Sequence, residues 1–98
     1  MTRKLTVRQQ ARIELIEATF WYEHRRRGLG TNFVETFNST LARIIDNPLQ
    51  FQVVDDAIRR APLGRYPFGL LYSVSDEDIV ILSCFHGRRN PARWKNRR

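Results

Sequence analysis

Apolar positions recur at helical spacing in the first half of this 98-residue chain, and alternate or run together in the second half. From Gln9 to about Arg26, Ala11, Leu15, Ala18 and Tyr22 fall at i, i+4, i+7 and i+11, which is one stripe of an amphipathic helix, with Ile16, Phe20 and Trp21 widening it. Glu23 stands three and four residues ahead of Arg26 and Arg27, a favourable helical pairing, and the "GLG" at Gly28 to Gly30 ends the segment. A second helix follows. Thr31 or Asn32 caps it, Glu35 sits in its first turn, and Phe33, Phe37, Leu41, Ile44 and Ile45 form its buried face. It stops ahead of Pro48, because the residue before a proline is pushed out of helical geometry. So short a link predicts two antiparallel helices, a helical hairpin.

Strand signals flank the hairpin. "KLTV" (Lys4 to Val7) has the brevity and β-branched content of a first strand. After Pro48, "AIRRAPL" (Ala57 to Leu63) is short and irregular, "FGLLYSV" puts Phe68, Leu70, Tyr72 and Val74 on one face, and "IVILSCF" is almost continuously apolar. The polar "SDED" of Ser75 to Asp78 turns the chain between the last two, so they pair as a hairpin. A strand as apolar as Ile79 to Phe85 is covered on both faces, which makes it central in the sheet. The expected fold is α+β with the order β-α-α-β-β-β, the helical hairpin packed on one face of a mostly antiparallel sheet. Residues 1–98 read as a single domain without repeat or low-complexity segment, with a basic tail from about 95 to 98.

Charge narrows the choice of partners. Seventeen Lys and Arg against ten Asp and Glu give a formal charge of +7. Only Lys4 and Lys95 are lysines, so arginine, which grips phosphate and carboxylate through two parallel hydrogen bonds, carries nearly all of it. The partner is expected to be anionic, a nucleic acid, an acidic protein or a membrane surface, and charge alone does not choose among them. Cys84 is the one cysteine, which excludes an internal disulfide, and no Cys/His set has metal-ligand spacing, so neither metal nor cofactor is expected. "MTRKLTVRQQ" lacks the apolar core of a signal peptide, and no run approaches the length of a membrane span, so a cytoplasmic protein without membrane contact is expected.

The chain resembles a known superfamily. "LGTNFVETF" opens the second helix, "NP" ends it, and "IRRAPLGRYPFGLLYSV" and "IVILSCFHGRRNPARW" follow. In that order and spacing, from about Leu5 to Trp94, they resemble the ParE/RelE superfamily of bacterial type II toxins. The resemblance implies the RelE/ParE-like fold and a toxin held inactive by a cognate antitoxin in a hetero-oligomer. It also implies one of two targets: RelE-like members cut messenger RNA on the ribosome, and ParE-like members poison DNA gyrase.

The residues weigh on that choice. RNA cleavage through the 2′-hydroxyl needs a base, an acid and cations around the phosphate. His86, Arg59, Arg65 and Arg88 are the candidates for such a set. Active RelE-like enzymes, however, place lysines with arginines, or a glutamate with arginine and histidine, across the sheet, and often end in a tyrosine; this chain ends "RWKNRR". Asp55 and Asp56 are the carboxylates that could replace the glutamate. The ending "H-G-R-R-N-P-x-x-W" instead resembles ParE-like chains, which need a shaped basic surface and no general acid or base. Target-binding candidates are therefore Arg59, Arg60, Arg65, Tyr72, His86, Arg88, Arg89 and Trp94. For the antitoxin they are Trp21, Tyr22, Arg25 and Arg26, where an acidic amphipathic partner would cross the hairpin. A plain basic nucleic-acid-binding module without toxicity is the remaining class.

Overall fold

The computed structural model describes residues 3–87. Five strands and two helices follow in the order β1 (Lys4–Val7), α1 (Gln9–Arg25), α2 (Leu29–Asp46), β2 (Gln52–Asp55), β3 (Ile58–Pro62), β4 (Phe68–Val74) and β5 (Asp78–His86). The sheet order is β1-β5-β4-β3-β2. β1 runs parallel to β5, and every other pairing is antiparallel. The helical hairpin is as the pattern predicts; the "IVILSCF" strand, expected to be central, is flanked on both sides but lies next to the edge strand β1, and β4 is the middle strand.

The strands divide their side chains as their period of two requires. Phe68, Leu70, Tyr72 and Val74 of β4, with Ile79, Ile81 and Cys84 of β5, face the helices and meet Ala11, Ala18, Phe33, Phe37 and Ile44. Ile58, Leu71, Leu82 and Phe85 form a second, smaller cluster. β5 is thus apolar toward both clusters, which accounts for its unbroken hydrophobic run.

Opposite Leu71 and Tyr72 the β4–β5 register slips by one residue. Such a bulge leaves backbone groups without ladder partners, and here α1 supplies one. The Glu14 carboxylate accepts hydrogen bonds from the Ser83 hydroxyl at 2.8 Å and from the Cys84 N–H at 3.1 Å. Helix and sheet are fastened together three residues before β5 ends at His86.

Four other sequence expectations are corrected. A strand is added: β2, on the sheet edge, pairs with β3 through a tight turn in which Asp56 takes φ +51°. Its side chains are mostly exposed, so it carries no apolar face for a pattern to reveal. Helix α2 starts at Leu29, ahead of Thr31 and Asn32, and neither caps it. Gly28 turns the chain at φ +91°, and the Glu23 carboxylate receives the N–H groups of Gly28, at 3.1 Å, and Gly30, at 2.9 Å. The first helix thereby caps the second, and the Glu23 carboxylate goes to these amides because α1 has ended before Arg26 and Arg27. Those two bonds, Gly28 first, hold the Glu23 carboxyl below its ordinary pKa. Gly30 is required by proximity, since a Cβ there would lie 2.8 Å from the Thr19 carbonyl oxygen of α1. Finally, Ile16, Phe20, Trp21 and Ile45, assigned to buried faces, are exposed.

Candidate functional site

His86 closes β5 with an exposed imidazole set edge-on against Phe68, ring centroids 5.0 Å apart at 85°. Phe68 pairs with His86 in the ladder, so the β3–β4 turn, carrying Arg65, Tyr66 and Pro67, lies at the same end of the sheet. The last turns of α1 reach that end as well. Tyr22 packs at 5.1 Å from Phe33, 4.9 Å from Tyr66 and 6.2 Å from Phe68. The Tyr66 hydroxyl donates to the Asn32 side chain of α2, tying the turn to the hairpin.

Between these elements lies a cavity of about 370 Å³ lined by Ala18, Trp21, Tyr22, Pro67, Phe68 and His86. Burial raises the Tyr22 phenol above its ordinary pKa, with smaller contributions from Tyr66 and Cys84, so it is neutral at physiological pH. The Arg25 guanidinium lies 5.0 Å from the Trp21 ring centroid, in cation–π position. The arrangement suits an apolar side chain from an anionic partner: aromatic walls, one imidazole and a cationic flank.

The sequence candidates separate into groups. Trp21 and Tyr22, expected on the antitoxin surface, and His86, expected on the target surface, line one cavity. Arg25 stands beside it, and Arg26 follows at the end of α1. Arg65 is exposed in the adjacent turn. Arg60 projects from β3 across Gly69, where an added Cβ would fall 2.5 Å from its Nε.

Two candidates have other duties. Arg59 donates to the carbonyl oxygens of Leu49, at 3.1 Å, and Phe51, at 2.6 Å. Tyr72 is wholly buried, and its hydroxyl donates to the Pro48 carbonyl at 2.6 Å. Together they hold the loop between α2 and β2. The structure removes Tyr72 from the target surface, because it has no accessible atom to offer. Burial also raises its pKa, Arg59 opposing in part. Asp55 ends β2 opposite Ile58 and Asp56 follows in the turn to β3, whereas His86 pairs with Phe68 at the other end. Four or five residues of strand, about 15 Å, separate them, so neither carboxylate substitutes for a glutamate beside the histidine. Arg88, Arg89, Trp94 and the basic tail lie outside the described residues.

Other chemistries find little support among the described residues. Burial pushes the Cys84 thiol up to about 12, with Glu14 adding to the rise, which leaves it without nucleophilic thiolate. No group of three or more His, Cys, Asp or Glu is placed to hold a metal ion, among the described residues. No helix in that range is long and apolar enough to cross a membrane.

No protein-family model and no curated protein matches this chain. Solved structures do. A chain described as from the chromosomal ParDE toxin–antitoxin system of P. aeruginosa superposes with a TM-score of 0.78 at 16% identity, over 89% of this chain and 98% of that one. This chain has the ParE/RelE-like fold. A chain of the YoeB dimer from Staphylococcus aureus superposes with a TM-score of 0.58 at 18% identity, over 88% of this chain and 98% of that one. The ParE/RelE-like fold expected from the order of motifs is therefore the fold observed.

Proposed function

We propose that this chain is the toxin of a type II toxin–antitoxin pair, kept inactive in the cytoplasm by an acidic cognate antitoxin, and that it acts on DNA gyrase rather than by cutting messenger RNA. The observation supporting this choice of target is that, of the nuclease candidates among the described residues, Arg65 alone shares the His86 end of the sheet, while Arg59 and the carboxylates Asp55 and Asp56 do not join them. Cleavage requires acid, base and phosphate-binding cations to converge within hydrogen-bond reach of one another. Arg59 is engaged with two loop carbonyls, and the carboxylates Asp55 and Asp56 stand at the far end of the sheet. His86 is left in an aromatic cavity, which suits recognition of a protein surface better than transfer of protons.

The antitoxin reading rests on the same cavity. A partner with an apolar anchor flanked by carboxylates fills the space between Trp21, Tyr22 and Phe68 and meets Arg25 and Arg26 at its edge. An antitoxin seated there covers His86, so it neutralises by occupying part of the surface offered to the target. Hydrogen exchange with and without the antitoxin tests this: protection is expected over residues 18–25 and 66–68, and unchanged exchange there refutes it.

The target is tested by pairing two assays on the purified chain. Inhibition of supercoiling with accumulation of cleaved DNA in the gyrase assay, and intact message in primer extension on translating ribosomes, is the expected pair. Cuts within codons that vanish in a His86→Ala variant would overturn the gyrase reading in favour of a RelE-like nuclease. Binding of nucleic acid with a steep salt dependence, and no effect in either assay, would leave only a basic binding module.

A further inference from the structure

Helix α1 is apolar on two opposite faces. At 100° per residue, Ala11, Leu15, Ala18 and Tyr22 turn toward the core, and Ile13, Ile16 and Phe20 turn nearly 180° away from it. These three are 41%, 54% and 61% exposed. Scattered exposed apolar residues are ordinary, but a continuous row is a sign of an interface. The spacing of three and then four residues is that of the contact positions in a two-stranded coiled coil. The row also continues sideways onto α2, through a shallow groove of about 330 Å³ lined by Thr19, Phe20, Glu23, Gly30, Thr31 and Val34.

The charges beside the row identify the occupant. Arg12 lies on one flank and Glu17 on the other, five residues apart, both exposed, and no hydrogen bond or ion pair among the described residues engages either side chain. In a parallel pair of helices that offset brings the flanking residue of one strand opposite its counterpart on the other. The face is thus self-complementary: its own two-fold image supplies a carboxylate to each Arg12 and a guanidinium to each Glu17. The cations that would draw an acidic partner, Arg25, Arg26 and Arg27, gather instead at the end of the helix.

We propose that the outer face of α1 is an interface between two copies of this chain, the helices lying parallel about a two-fold axis with Ile13, Ile16 and Phe20 against their counterparts and Arg12 of each copy beside Glu17 of the other. The contact extends over barely two helical turns, far less than a standard stable interface, so the dimer is weak, with a dissociation constant roughly in the 10–100 µM range. It is independent of the toxin reading and of the cavity at His86.

Sedimentation velocity of the full chain over a concentration series is the test. A monomer–dimer equilibrium is expected, weakened about tenfold or more by Phe20→Glu or Ile16→Glu with the thermal melt unchanged, since both side chains already meet solvent. Arg12→Glu and Glu17→Arg should each weaken dimerisation, and the double reversal should restore it. If an apolar-to-acid variant misfolds, concentration-dependent amide shifts over residues 12–20 in the unmodified chain serve in its place. The proposal falls if the chain stays monomeric up to about 500 µM, if dimers ignore Phe20→Glu, or if the double reversal is no better than either single change. It also falls if this face becomes protected only when an acidic partner is added.

Discussion

The clearest separation of structural from functional side chains comes from Tyr72→Phe. The substitution deletes one oxygen atom and nothing else. Tyr72 is 0% exposed, and its ring, edge-on to Phe51 with centroids 6.4 Å apart, stays in place in phenylalanine. What is lost is the 2.6 Å hydrogen bond to the carbonyl of Pro48, itself a buried residue just beyond the end of α2. A buried carbonyl left without its donor costs roughly 1–3 kcal/mol, and about 2 kcal/mol is expected here because little packing is lost with it. For a domain near 100 residues each kcal/mol moves the melting midpoint by about 4–8 °C, so the expected fall is roughly 8–16 °C. Urea titration measures the same loss as a shift in midpoint at constant slope. Arg59 supports the neighbouring carbonyls of Leu49 and Phe51, so Tyr72→Phe and Arg59→Met should couple in a double-mutant cycle by about 0.5 kcal/mol or more. If Tyr72→Phe melts within about 1 °C of the parent yet abolishes the activity proposed above, the tyrosine serves a target and the reasoning from burial is wrong.

Three further outcomes are expected. Glu23 has its folded pKa held below its ordinary value of 4.5 by the Gly28 and Gly30 amides, so its carboxylate stabilises the fold above that value and loses this effect as pH falls through the folded pKa. Glu23→Gln should therefore melt earlier than the parent near neutral pH and converge with it in acid; parallel profiles down to pH about 2 would contradict the cap. Glu14→Ala leaves the buried Cys84 N–H without its acceptor and should cost about 1–3 kcal/mol, with faster exchange of that amide as its signature. With its pKa raised from 9.0 to about 12, Cys84 should carry about a thousandfold less thiolate at pH 8. Alkylation should then track unfolding, and rapid labelling of the folded chain would refute this.

How much of this could be read in the sequence depends on how local the cause is. The two helices, the β4 alternation and the unbroken β5 run are written in residue spacing, because each element buries its own face. β2 was invisible because an exposed edge strand has no face to bury. The start of α2 was displaced because its cap arrives from Glu23 of the previous helix rather than from Thr31 or Asn32. Periodicity found the stripe of α1 but put Ile16, Phe20 and Trp21 on it; a helix with two apolar faces gives no pattern that tells which one meets the core. The shared cavity of Trp21, Tyr22 and His86 could not be anticipated, since only the fold brings residues so distant in the chain together.

The arginines carry the same lesson into function. A formal charge of +7 suggests a uniformly cationic protein, but the fold allots these side chains unequally. Arg59 spends its donors on loop carbonyls, Arg43 lies 5.2 Å over the Phe51 ring, and Arg60 lies along Gly69. Arg59 and Arg60 are half-buried, so charge counted there overstates what a partner can reach, whereas Arg43 keeps its exposure. Arg25, Arg26 and Arg27 at the end of α1 and Arg65 in the neighbouring turn are exposed, and they stand at the end of the sheet that holds His86 and the aromatic cavity. Accessible cations beside an apolar cavity make a directional surface: for the acidic partner proposed above, long-range attraction would bring it in and a buried anchor would fix its register. Neutralising Arg25 and Arg65 should therefore slow association and reduce its salt dependence, whereas Trp21→Ala should speed dissociation and leave the salt dependence alone.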